Sequence, residues 1–266
     1  MPSLEEIKSR QQAAWASGDS AKVAWVTVPL AETLVEAVEL RPGSKVLDIA
    51  TATGHVALAA ARRFCEATGI DYVPALLEVA RRRAAAEGLE VDFVEGDTEN
   101  LPYPDGQFDY VLSAIGAMFA PDQERAASEM LRVTRPGGTI GMINWTPSGF
   151  VGELFKTIAQ YAPPPGLKPP VLWGTEERVR ELLGPGVSNL VCQRGHLRQR
   201  FLSPEHYADF FLTWFGPIHT AAATMDHATR DAFRADIIRV ASRFNRATDG
   251  TAAIESEYLL VIATKR

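Results

Sequence analysis

Cysteine is nearly missing from this 266-residue chain: Cys65 and Cys192 are the only two, far apart and in no CxxC pair. That excludes a disulfide framework and a cysteine zinc site, and it leaves both thiols as small core residues. No apolar run approaches the ~18 residues of a membrane span, and the mixed-charge start MPSLEEIKSRQQAAW has no signal-like apolar stretch. The expectation is a soluble, cytoplasmic protein with no membrane partner. An excess of basic residues is lacking too. The formal charge is −6 and the sequence pI near 5.5, which argues against DNA or RNA as a partner. Histidine is scarce, with five in all, so few side chains can act as a base near neutral pH.

What is present is a core-forming composition, 46% hydrophobic, in an alternating order. From Val46 to Trp145, β-rich runs (KVLDIA, EATGIDY, VDFVEGD, FDYVLSAI, GTIGMINW) alternate with helix-period segments (LAAARRF, PALLEVARRRAAAEG, QERAASEMLRV). That order predicts βαβ units: an α/β fold with a parallel sheet and helices on both faces. The helix Pro74–Glu87 should end at Gly88, and RPGG at 135–138 should turn into the next strand. After Trp145 a proline-rich bridge, APPPGLKPPVLWGTEE, leads to a helix capped by Thr175. A strand over NLVCQRGHLRQRFL, a helix opened by Ser203 and Pro204, a helix over Thr229–Phe244 and a strand SEYLLVIAT complete the chain. We read a single domain: a helical cover over 1–40, a core over 41–146, an insertion and strand over 147–220, and a closing helix and strand over 221–266.

In an open α/β sheet, ligands bind outside the carboxyl ends of the strands. Asp48 ends the first strand, and ATATG, Ala50 to Gly54, is the turn whose backbone must approach a ligand. Asp71 follows about 20 residues later, the spacing at which an acid accepts from a ribose diol. Asp97 lies just past the third strand. Taken with VLDIATATGHVA, FVEGDTENLPYPDGQFDYVLSAIG and MLRVTRPGGTIGMINW, the stretch Lys45–Trp145 resembles the class I S-adenosylmethionine-dependent methyltransferases, of the ubiquinone/menaquinone C-methyltransferase-like branch. That resemblance implies a Rossmann-like, mostly parallel seven-stranded sheet with a helical substrate cover. It implies that Asp48, Ala50, Thr51, Ala52 and Gly54 border the methionine part of the cofactor. Asp71 would bind the ribose with Tyr72 beside the adenine, Asp97 and Thr98 would meet the adenine edge, and Ser113, Ala114 and Gly116 would line the methyl side.

The sequence departs from the family's D-x-G-x-G-x-G at two positions, Ala50 and Ala52. A negative φ at the first makes its methyl harmless. A positive φ at Ala52 costs about 1 kcal/mol and weakens cofactor binding roughly tenfold. A nicotinamide-dependent dehydrogenase would share Asp71 but needs a GxGxxG turn that is absent. A second alternative is the same fold binding the cofactor without methylating, as a cyclase, regulator or scaffold.

Methyl transfer by in-line displacement draws on orientation, so a dedicated base is optional and none is assigned. His196, His206 and His219 are the candidates; His55 and His227 read as helix-start residues. Arg194, His196, Arg198 and Arg200 alternate along one strand face, either a solvated edge or, through Arg198 or Arg200, an anchor for an anionic group. A cover containing Trp15, Trp145, Trp173 and Met118, with Tyr207, Phe211 and Trp214 on one helix, would enclose a small apolar or partly aromatic substrate, Arg200 beside it. SAIGAMFAPD lacks the Asn-Pro-Pro-aromatic motif of DNA and protein-glutamine methylating enzymes, no Pro-Cys nucleophile suggests a cytosine enzyme, and no acidic cluster suggests a magnesium site. The expected partner is a small molecule; a homodimer stays open.

Overall fold

A computed structural model describes residues 2–164 and 166–266; Pro165, inside the proline-rich bridge, lies outside them. In chain order the helices and strands are α1 (Leu4–Ala16), α2 (Ser20–Ala24), α3 (Val28–Ala37), β1 (Lys45–Ile49), α4 (His55–Ala61), β2 (Glu66–Asp71), α5 (Pro74–Glu87), β3 (Asp92–Glu95), β4 (Phe108–Ala114), α6 (Gln123–Val133) and β5 (Thr134–Trp145). They continue as α7 (Phe150–Tyr161), α8 (Glu176–Leu183), β6 (Val187–Phe201), α9 (Pro204–Trp214), α10 (Gly216–Ala223), α11 (His227–Phe244) and β7 (Ala252–Lys265). The seven strands are ordered β3-β2-β1-β4-β5-β7-β6. β1 through β5 pair in parallel. This is the Rossmann-like, mostly parallel sheet with flanking helices that the alternation predicts. No described helix is long and apolar enough to cross a membrane.

Two compact units divide the chain. One holds residues 27–144, 168–194 and 259–266; the other holds 1–26, 145–167 and 195–258. The break near the start falls at 26/27 rather than after 40. α3 belongs with the sheet because Leu30, Leu34 and Val35 are buried and the helix packs on α4. Gly141 of β5 is the reason the helix can come so close, since a β-carbon there would stand 2.6 Å from Val38 and 3.2 Å from Leu34.

Local signals account for the elements that position the site. α5 starts with Pro74 at its first position and ends on Gly88 in the left-handed region, φ +66. Thr175 caps α8 by accepting from the Arg178 amide, and Ser203 caps α9 by accepting from His206. α11 begins two residues before the expected Thr229, because the Asp226 carboxylate accepts the Thr229 amide and so caps the helix earlier. RPGG is not a turn that precedes the strand. β5 runs through it, and the pairing with β4 shifts register there.

The second unit, taken by itself, is held by aromatic packing. Tyr207 on α9 lies edge-on to Phe150 of α7 at 5.2 Å and to Phe201 at 5.0 Å. Phe211 stacks near Tyr207 and Phe215 in turn meets Trp15. α9 and α7 both pack on α11.

Candidate functional site

The carboxyl edge of β1 carries the decisive turn. After Ile49 the backbone passes through Ala50 at φ +51, Ala52 at φ +48 and Gly54 at φ +85. The condition under which the Ala50 methyl is harmless, a negative φ, is not met: both alanines occupy the left-handed region. What holds them there is a set of long-range hydrogen bonds. The Ala52 amide donates to Asp71 Oδ2 at 2.9 Å, and the Thr51 amide donates to the Ile70 carbonyl at 3.0 Å. From α5, Arg83 donates to the Thr53 carbonyl at 2.6 Å, with the His55 ring 2.8 Å from the same nitrogen.

Asp48 is 2% exposed and acts from inside the turn. Its Oδ2 accepts the Thr51 hydroxyl at 2.5 Å and the Ala57 amide at 3.0 Å. Gly54, at the N-cap of α4, has no side chain with which to satisfy the first turn of that helix, so Asp48 does it from the preceding strand. Burial pushes the Asp48 carboxyl up to about 7, against the downward pull of the Thr51 and Ala57 bonds. Bordering a ligand is thus secondary for this residue: its carboxylate builds the turn.

Asp71, at the end of β2, is also buried, and burial raises it to about 6. It accepts from the Ala52 and Val73 amides at 2.9 Å each, and an ionised carboxylate with about four acceptor positions keeps capacity for a ribose hydroxyl. Tyr72 beside it is half-buried, and burial raises its phenol strongly. Past β3, Asp97 Oδ1 accepts the Glu99 amide at 2.9 Å, closing a turn in which Thr98 is buried. So three acid-bearing strand ends, of β1, β2 and β3, stand side by side. A positive-φ turn, a buried acid one strand away and a capped turn beyond it fit an adenosyl cofactor.

The ends of β4 and β5 differ in character. Residues 112–120 and 140–144 contain no ionisable side chain. Ser113 is fully buried; its hydroxyl donates to the Ile49 carbonyl at 3.2 Å and accepts the Ala117 amide at 2.9 Å, so it shapes the bend after β4. Ala114 and Gly116 flank Ile115, which is held at φ +61. Met118 and Trp173 are both 0% exposed and belong to turns that pack on each other, so neither offers an open surface.

The remaining candidates lie in the other unit. Tyr207, Phe211 and Trp145 are buried, the first two as members of the aromatic core. Trp15 meets Phe215 edge-on, and Lys22 sits 3.5 Å over the Trp214 ring. On β6 the alternating face of Arg194, His196, Arg198 and Arg200 is exposed, while Leu197, Gln199 and Phe201 are buried. The solvated-edge alternative describes this strand. Arg198 pairs with Glu255, and Arg200 stands on the exposed face of the strand. The histidines are likewise placed apart: His206 is exposed and accepts the Leu202 amide at 3.3 Å, His219 lies 3.2 Å from the Leu212 carbonyl, and His196 is exposed, 3.8 Å from Glu257. A groove of about 820 Å³ lined by Lys45, Glu66, Arg81 and Asp92 opens at the amino ends of the strands.

Sequence reasoning overlooked Asn144, the penultimate residue of β5. Its side-chain amide is fully buried and both polar atoms lack a partner. Its position at the end of an apolar run gave no sign of this.

Comparison with known proteins agrees with the geometry. Residues 46–138 match a family described as a methyltransferase domain. The Mycobacterium tuberculosis protein Rv1405c, itself uncharacterised, is 40% identical over 268 residues, spanning 98% of this chain and 96% of its own. Demethylmenaquinone methyltransferase of Thermus thermophilus is 41% identical over 120 residues, 44% of this chain and 54% of that protein. The YcgJ protein of Bacillus subtilis shares the fold, with a TM-score of 0.61 at 20% identity over 89% of this chain and 97% of its own. The chain belongs to the class I S-adenosylmethionine-dependent methyltransferases and is an enzyme of that family.

Proposed function

We propose that this enzyme transfers the methyl group to an oxygen or carbon atom of a small, largely apolar metabolite. The observation that carries the reading is the split of the carboxyl edge. Acids stand at the ends of β1, β2 and β3, whereas the ends of β4 and β5 are free of ionisable groups. The first half suits the polar adenosine and amino-acid parts of the cofactor; the second suits an apolar acceptor. Partial likeness to a demethylmenaquinone methyltransferase, named for an apolar quinone, points the same way.

When bound, S-adenosylmethionine supplies an electrophilic methyl on a sulfonium. Asp71 would accept from the ribose diol, Tyr72 would pack beside the adenine, and Asp97 with Thr98 would border the adenine edge. The Ala50–Gly54 backbone would approach the methionine portion. Ala114 and Gly116 would border the methyl side, and Ser113 holds the bend that places them. No described histidine is placed by its contacts as a base at this edge, so the chain contributes chiefly by aligning an acceptor that is already nucleophilic and by keeping water away.

Isothermal calorimetry with S-adenosylhomocysteine tests the reading. Because Asp71 also accepts from the Ala52 and Val73 amides, Asp71→Asn, which keeps an acceptor, is a cleaner variant than Asp71→Ala. Binding by the wild type, weakened about tenfold or more in Asp71→Asn, is the expected result. A folded wild type that does not bind would refute it.

A further inference from the structure

A primary amide buried without partners is expensive, because its two donors and its carbonyl have given up water for nothing. Asn144 is such a group: 0% exposed, with Nδ2 and Oδ1 both unpaired. It lies at the carboxyl end of β5, on the strand face shared with Met142 and Ile140, where replacement by a hydrocarbon of the same size would remove the cost. The neighbouring strand end is also held in an unfavourable state. Ile115, a β-branched residue at φ +61, donates its amide to the Ile143 carbonyl at 2.9 Å, which sets the bend after β4 beside Asn144. Strain and an orphaned amide at one place mark a ligand site rather than a packing detail.

We infer that the Asn144 side-chain amide is the polar group that reads the methyl acceptor, and that it selects a neutral hydroxyl or carbonyl over a carboxylate or phosphate. The inference rests on the methyl-transfer reading above and adds the substrate class and its recognising residue. Charge selection follows from the composition of the two strand ends that meet there. Residues 112–120 and 140–144 supply no cation to pair an anion, so a charged acceptor would be stripped of water with only an amide in return. A neutral hydroxyl can accept from Nδ2 and donate to Oδ1, satisfying both orphaned atoms at once.

The test compares wild type with Asn144→Leu, using S-adenosylhomocysteine, 1-naphthol and 1-hydroxy-2-naphthoate as probes. Ligand-free Asn144→Leu is expected to melt several degrees higher than wild type, since an unpaired amide has been replaced by a side chain of similar size. Its affinity for S-adenosylhomocysteine is expected to be unchanged, while 1-naphthol binds the S-adenosylhomocysteine-loaded variant about tenfold or more weakly than the loaded wild type. The side-chain NH2 resonance of Asn144 in wild type gives a second reading that does not depend on the variant. It should move on adding 1-naphthol to the loaded enzyme and not on adding S-adenosylhomocysteine alone. A resonance that moves with S-adenosylhomocysteine assigns the amide to the cofactor and overturns the inference. So does tighter binding of the naphthoate than of the naphthol, or binding of neither. A wild type that binds no S-adenosylhomocysteine overturns the methyl-transfer reading itself.

Discussion

A β-carbon placed on Gly116 would stand 2.6 Å from the Ala50 carbonyl oxygen and 2.8 Å from the Ala50 methyl. The turn after β1 and the bend after β4 thus share one space, and the alanine in the first uses what a side chain in the second would need. Gly116 has φ −103, which any residue adopts, so its requirement is steric rather than conformational. Gly116→Ala should destabilise the protein by about 1–3 kcal/mol. Adding Ala50→Gly should recover only part, since the carbonyl contact stays. Urea unfolding of the four proteins in the cycle measures both values; independent, additive effects would contradict the shared-space account.

Ala52 sits at φ +48 with its amide bound to Asp71. Glycine adopts that geometry without penalty, so Ala52→Gly should stabilise the fold by up to about 1 kcal/mol and tighten S-adenosylhomocysteine by up to tenfold. Melting and calorimetry read the two separately. Weaker binding in the variant would show that the methyl contributes a contact instead of strain.

Asp48 and Asp71 give the protein a pH dependence of definite sign. Burial raises their folded values to about 7 and about 6, above the ordinary 3.8. Between about pH 4 and 7 the native state therefore holds more protons than the unfolded chain, and stability falls as pH rises through that window. Asp48→Asn keeps an acceptor for Thr51 and Ala57 but cannot ionise. Its stability should decline less than wild type between pH 5 and 8 in parallel denaturant titrations; identical declines would mean that Asp48 stays ionised throughout.

Phe64 follows α4 at φ +60 with 82% of its surface exposed, at a position helices usually give to glycine. Since the ring buries little, Phe64→Gly should gain about 1 kcal/mol, while Phe64→Ala, which keeps a β-carbon, should gain none. Thermal melts of both variants decide it, and an equal gain from alanine would point to the ring, not the backbone.

Much of the fold was legible because its signals are local. Pro74 and Gly88 bound α5, Thr175 caps α8 and Ser203 caps α9, each using residues within three or four positions. The order of β-rich and helical segments was enough for the parallel sheet. What escaped depends on partners remote in sequence. α3 joins the sheet unit through α4 and Gly141. The positive φ of Ala50 goes with a turn held by Ile70, Asp71 and Arg83, and the Asp48 carboxylate turns to a helix nine residues on because Gly54 cannot cap it. Arg200 and the histidines attracted attention as chemical types, yet their exposure is decided by which strand face and helix face meet the core. Asn144 was invisible for the opposite reason: nothing in a string of letters reports a missing partner.

Three separate stretches of chain converge to hold the turn after β1: Asp48 from within, Asp71 from β2 and Arg83 from α5. During synthesis on the ribosome, the first of these emerges 35 residues before the last, the gap from 48 to 83. A nascent chain that ends short of Arg83 carries the turn's letters but not its clamp. The turn on which the proposed cofactor site rests therefore has its full set of holding contacts only once the second βα unit has been made.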